Sequence, residues 1–169
     1  MPEPTEQIKT RGVRQVLATV AEVRAAVVEV TGLATRTLSI FTHDLEPEIY
    51  DHDDFLETLK RFILARTFAR VRVLIQDPNR VIKNGSRFVS MGRRLNSYIE
   101  FRNVRPEFQG HPEAFFIADE HALVYRARAE SWEGMSDTHE PAVARIYLSK
   151  FETIWSACEI EPQLRQLQI

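Results

Sequence analysis

Apolar side chains along this chain recur first at helical and then at strand spacing. Val13, Val16, Leu17, Val20, Val23, Val27 and Val30 follow one another at three- and four-residue steps, which predicts a single amphipathic helix from Val13 to Val30, ended by Gly32. Thr35 to Phe41, with Leu38 and Phe41 around Ile40, reads as a short buried strand, and Pro47 marks a loop. Asp51 or Asp53 can cap the next helix, whose apolar side carries Phe55, Leu56, Leu59, Phe62 and Ile63. A strand from Arg70 to Gln76 puts Val71, Val73 and Ile75 on one face. After Asp77-Pro78 a helical pattern runs towards Ser97 and is divided at Asn84-Gly85.

Three further strands follow, Tyr98 to Val104, Ala114 to Asp119 and Ala122 to Arg126. The turn near Asp119-Glu120-His121 is so short that the last two should form an antiparallel hairpin. Pro141 opens a final helix with Val143, Ile146, Tyr147, Phe151, Ile154 and Trp155 inward, and the tail from Pro162 to Ile169 should fray. Helices and strands in alternation define an α/β class. The expected sheet is mixed and mostly parallel, flanked by helices, and closes on a C-terminal antiparallel hairpin.

Composition narrows the class little. At 44% apolar and 27% charged residues the chain is neither disordered nor built for a bilayer, and no apolar run is long enough to cross one. A length of 169 residues suits one domain, from residue 13 to 169 after a flexible stretch at 1–12. The start lacks the features of a secretory signal, and the single cysteine, Cys158, cannot form an internal disulfide. Both point to the cytoplasm.

The net charge of −2 hides a division that bears more on function. Residues 1–60 hold 6 basic and 11 acidic side chains, residues 61–128 hold 13 and 6, and residues 129–169 hold 3 and 7. Either the segments pair across the folded surface, or the middle one presents a basic face to an anion. Arg80, Lys83, Arg87 and Arg94 fall within about 60° of one another on a helical projection, a basic edge able to contact phosphates. Non-specific nucleic acid is one such partner. No zinc finger, helix-turn-helix or aromatic RNA-binding motif accompanies the edge, and no Walker-type or Gly-x-Gly-x-x-Gly loop supports nucleotide binding.

The stretch richest in chemistry is His111-Pro-Glu-Ala-Phe-Phe-Ile-Ala-Asp119. It resembles the His-x-Lys-x4-Asp motif of the phospholipase D superfamily, in which the imidazole attacks phosphorus and the lysine holds phosphate oxygens. Other segments are similar to parts of the same unit. Thr37-Leu-Ser-Ile-Phe-Thr42 resembles its first strand, Phe55-Leu-Glu-Thr-Leu59 its first helix, Ala69-Arg-Val-Arg-Val-Leu-Ile75 its second strand, and Phe151-Glu-Thr-Ile-Trp155 its closing helix. The resemblance spans residues 35 to 158 and implies a phospholipase D-like half-unit from a small bacterial branch with eroded catalytic residues.

Only His111 carries over to a catalytic position. Glu113 stands in the lysine's place, the aspartate's place falls at Ala118, and the nearest acid, Asp119, is one residue late. The stretch from Ala127 to Glu133 lacks the Gly-Ser pair and the asparagine of active members. A carboxylate in a phosphate pocket repels its substrate, so a non-catalytic binding or assembly module is expected, needing no cofactor. Its ligand would be a phosphate-bearing molecule or a protein partner, held around His111 and Glu113 with Arg102 and Arg126 from nearby strands. Two alternatives stand beside it. One is a homodimeric phosphodiesterase using His111 from each subunit; the other is an accessory protein that docks another enzyme through a surface including Trp132.

A second cluster, Thr42-His43-Asp44 with Glu46, Glu48, Asp51, His52, Asp53 and Asp54, follows the first predicted strand. Its spacing fits neither an EF-hand loop nor a His-Glu-x-x-His helix, so a helix N-terminus with a solvated loop is expected there and no metal site. No membrane partner is expected either.

Overall fold

The computed structural model describes residues 12–158. Seven strands form one sheet in the order β1-β7-β6-β5-β2-β3-β4. These are β1 (Arg14–Leu17), β2 (Thr37–Thr42), β3 (Arg70–Ile75), β4 (Ile99–Asn103), β5 (Ala114–Ala118), β6 (Ala122–Arg126) and β7 (Gly134–Asp137). The helices are α1 (Val20–Leu33), α2 (Pro47–Tyr50), α3 (Asp53–Leu64), α4 (Asn79–Asn84), α5 (Arg87–Arg94) and α6 (Pro141–Ala157). As expected from the helical crossovers, β2, β3 and β4 are parallel neighbours. The β5–β6 hairpin is antiparallel, and β5 returns beside β2. The sheet is mixed but not mostly parallel: β1–β7, β6–β7, β5–β6 and β2–β5 are all antiparallel.

Two apolar layers hold the sheet. Val71, Val73 and Ile75 of β3 face one layer with Phe55, Leu59 and Ile63 of α3 and Val23, Val27 and Val30 of α1. Rings of Tyr50, Phe55, Phe88, Phe101 and Phe116 meet edge to face or tilted within it. Alternation sends Phe41, Leu74, Phe115 and Ile117 to the opposite layer, where Ala144, Phe151, Ile154 and Trp155 of α6 cover them. Gly92 lets α5 approach β4, since a Cβ there would stand 2.5 Å from Phe101 Cε2. Gly85, at φ +75°, ends α4 and turns the chain into α5 where Asn84-Gly85 predicts a break.

Four sequence expectations change. The helix expected from Val13 is two elements: Arg14–Leu17 is an edge strand on β7, and α1 starts after Thr19. Thr19 Oγ1 accepts from the Glu22 amide at 3.2 Å and donates to Glu22 Oε1 at 3.0 Å, a Thr-x-x-Glu cap that sets the boundary despite the continuous apolar spacing. Residues 47–50, expected as loop, make one helical turn started by Pro47. Ile146, expected on the inner side of α6, is exposed, while Ala144 is buried there beside Val143, Tyr147, Phe151, Ile154 and Trp155. Gly134–Asp137, with no strand signal of its own, is held as β7 between β1 and β6. The flexible stretch expected at 1–12, apart from Gly12, and the fraying tail expected at 162–169 lie outside the described residues.

Candidate functional site

The parallel strands end on one edge of the sheet, and β5 begins there because it runs antiparallel to β2. Open sheets bind ligands beyond such strand ends. A cleft of about 450 Å³ lies at this edge, lined by segments that leave β2, β3 and β6 and by the segment that enters β5. Gln109 Nε2 donates to the carbonyls of Gln76 at 2.8 Å and Val104 at 2.7 Å, while Gln76 Nε2 donates to the carbonyl of His111 at 2.8 Å. These bonds fix the backbone that carries His111.

The cleft is acidic. Asp44, Glu46, Glu48 and Glu130 line it against one arginine, Arg80. Arg80 is itself engaged, 2.9 Å from Asp44 and 3.3 Å from Glu48. Glu46 and Arg126 form a buried ion pair at the back, with side chains 7% and 4% exposed. Thr42 Oγ1 donates to Glu46 at 2.5 Å, and Arg126 also donates to the carbonyls of Ala129 at 2.9 Å and Ser131 at 3.0 Å. Trp132 lies over the guanidinium at 4.9 Å and packs against the core, so it folds back onto the sheet and lines the cleft. With its donors occupied, Arg126 holds the loop after β6 in shape. Burial, followed by the Glu46 charge, pushes the Tyr50 hydroxyl far up.

His111 lies before β5, its ring edge-on to Phe41 at 5.9 Å and partly exposed. Its Nδ1 is 4.0 Å from Glu113 Oε1, beyond hydrogen-bond reach. Glu113 is ion-paired instead with Lys150 of α6, and Tyr125 Oη stands 3.5 Å from its second oxygen. Burial first, then the Lys150 charge, holds the imidazole below its ordinary pKa. Burial also lowers Lys150, and burial with a hydrogen bond to Tyr147 pushes the Tyr125 hydroxyl up to about 12. The imidazole thus stands beside a carboxylate that Lys150 of α6 pairs.

The remaining sequence candidates are dispersed. Arg102 does not reach this cleft: it stacks on Trp155 at 4.0 Å and donates to that residue's carbonyl at 2.8 Å, closing the C-terminus of α6. The basic edge is broken by Gly85, so Arg80 and Lys83 sit on α4 and Arg87 and Arg94 on α5. Arg87 binds Asp51 at 2.8 Å and Asp53 at 2.5 Å, and Lys83 and Arg94 are exposed. Across the surface, cations of the middle segment pair with acids of the flanks, as Arg72 does with Glu152. Asp53 and Asp54 occupy the first turn of α3, as a helix N-terminus favours. Among the described residues, no group of three or more His, Cys, Asp or Glu is placed to hold a metal ion.

Asp119 has a structural post. In a left-handed turn at φ 55°, its carboxylate accepts from the amides of Thr35 at 3.0 Å, Arg36 at 2.7 Å and Thr37 at 3.0 Å, pinning the start of β2. Lys150, Gln76 and Gln109 escaped sequence reasoning. Lys150 meets Glu113 37 residues away, Gln76 meets His111 35 away, and Gln109 reaches Gln76 33 away as well as the nearer Val104.

Sheet order, strand directions and the two helical layers define the α/β unit of phospholipase D-like proteins. Nuc from Salmonella typhimurium, a phospholipase D family member, superposes with a TM-score of 0.64 at 15% identity, over 89% of this chain and 98% of that one. NucT from Helicobacter pylori gives 0.61 at 11%, over 89% and 99%. TrmBL2, an archaeal chromatin protein that binds DNA, gives 0.61 at 15%, over 93% of this chain and 57% of that one. At these identities the likeness concerns the fold. The chain belongs to the family described as Domain of unknown function (DUF7931), whose pattern matches residues 19–167. No curated protein matches its sequence.

Proposed function

We propose that this protein is a non-catalytic phospholipase D-like module, one domain of a branch whose motif has degenerated, and that its strand-end cleft receives a protein partner. One observation carries the reading: Glu113, which the motif resemblance sets in the place of the phosphate-holding lysine, is ion-paired with Lys150. A phosphate entering beside His111 would meet Asp44, Glu46, Glu48 and Glu130 with the nearby cations already paired, so its charge would be repelled. The same lining favours a basic segment of another protein, which would touch Trp132.

Titration at low salt separates these ligands. A short Lys/Arg peptide should change the fluorescence of Trp132, and the change should weaken in the Glu48→Gln and Glu130→Gln variants. Inorganic phosphate and a short oligonucleotide should leave it unchanged. A phosphate response with no peptide response would remove the protein-partner reading and restore an anion site.

A second reading rests on His111, which lines the cleft and whose pKa burial, then Lys150, lowers, favouring the neutral imidazole that a nucleophile needs. A homodimer joining two copies of this edge would be a phosphodiesterase. Turnover of bis-p-nitrophenyl phosphate that vanishes in His111→Ala would support it.

A further inference from the structure

Five arginines stand at the opposite end of the sheet from the cleft. Helices α1, α3 and α5 each lead into a parallel strand, so their C-termini share the edge where β2, β3 and β4 begin. Arg61 and Arg66 line a groove of about 400 Å³ between the ends of α1 and α3, and Arg36, Arg70 and Arg94 stand at the starts of β2, β3 and the approach to β4. Arg70 N donates to the Arg36 carbonyl at 3.0 Å, which sets those two side by side. None of the five arginines is ion-paired among the described residues, in contrast to Arg72, Arg80, Arg87 and Arg126. Carboxylates stand there too, among them Glu120 of the β5–β6 turn, 3.7 Å from Arg145. Glu29 shares the groove with Arg61 and Arg66, and Asp119 is spent on backbone amides.

Large apolar side chains share this end. Leu33 closes α1, Leu64 closes α3, and Phe68 lies in the turn to β3, exposed by 47%, 66% and 58%. Scattered exposed leucines are ordinary, but here they flank an arginine-lined groove with Phe62 and Ala34 in its walls. A nucleic-acid backbone would satisfy the arginines and leave the two leucines in water. An anionic bilayer satisfies both, with lipid phosphates meeting the guanidinium forks and the apolar side chains entering the interface. We propose that this end docks peripherally on an anionic lipid bilayer, leaving the acidic cleft facing away from the membrane. The expectation of no membrane partner came from the shortness of the apolar runs, which bears on crossing a bilayer; no described helix is long and apolar enough to do so.

Co-sedimentation with phosphatidylcholine vesicles, with and without phosphatidylserine, tests the proposal. The protein should pellet only with the phosphatidylserine vesicles and should release as salt rises. Arg61→Gln and Arg66→Gln should each weaken the association roughly fivefold. Leu64→Ser and Phe68→Ser, at exposed positions, should weaken it too, whereas Glu48→Gln in the far cleft should not. Failure to pellet with either vesicle would overturn the proposal. So would equal pelleting with both, or arginine-dependent binding of a single-stranded oligonucleotide without vesicle binding. The cleft titration is independent, so either reading can fail alone.

Discussion

Glu113 and Lys150, 37 residues apart in the chain, form an ion pair that ties the entry of β5 to α6 on the face opposite α1 and α3. The Glu113 carboxylate is therefore a structural link across the second layer. Removing one partner leaves the other charge partly buried. Lys150→Met, which strands the more buried carboxylate, should cost about 1–2 kcal/mol in urea denaturation, and Glu113→Ala less, because the Lys150 ammonium can reach water. Equal and negligible losses would mean that the pair does not form in solution.

The deeper pair, Glu46 with Arg126, should be more sensitive. Arg126→Ala strands a buried carboxylate and releases the loop after β6, so a loss of about 3–5 kcal/mol is expected. Trp132 would lose the cation beneath its ring, and its emission should shift towards that of an exposed indole before global unfolding. A variant with wild-type emission would contradict the role given to Arg126.

Asp119 accepts three consecutive amides in a turn of positive φ. Asp119→Ala removes those bonds and should destabilise the domain by about 2–3 kcal/mol, whereas Asp119→Asn should lose less because it keeps an acceptor and tolerates the turn. Guanidinium melts of the two variants check the order.

His111 should give stability a dependence on pH. Burial, then Lys150, lowers its folded-state pKa below the ordinary 6.5, so the unfolded chain binds the proton more readily. The imidazole costs nothing above about pH 6.5, and its penalty grows as pH falls through the folded-state value. Urea midpoints between pH 7.5 and pH 5 should fall less in His111→Gln than in the wild type. An identical fall would assign the acid sensitivity to other groups.

Much of this architecture is legible in the sequence because alternation and helical spacing report burial directly. Val71, Val73 and Ile75 mark β3, and Phe55, Leu59, Phe62 and Ile63 mark the inner face of α3. The edge escaped the same logic. Val13 and Val16 continue the helical spacing of α1 yet are exposed by 60% and 81%, and the Thr19 cap overrides the periodicity. β7 is a strand only through its neighbours. At the candidate site, His111 and Trp132 were found from residue type and both line the cleft, but charge was misplaced. The sequence locates a basic segment; pairing with distant acids decides which arginines remain open. That pairing turns the cleft acidic, while Arg61 and Arg66 line the groove at the other end.

The central claim is that this scaffold does not cleave phosphodiesters, and the most direct measurement is hydrolysis of bis-p-nitrophenyl phosphate by the purified protein with His111→Ala in parallel. The expected result is no turnover above buffer for either protein. Turnover by the wild type that disappears in the variant would contradict the claim.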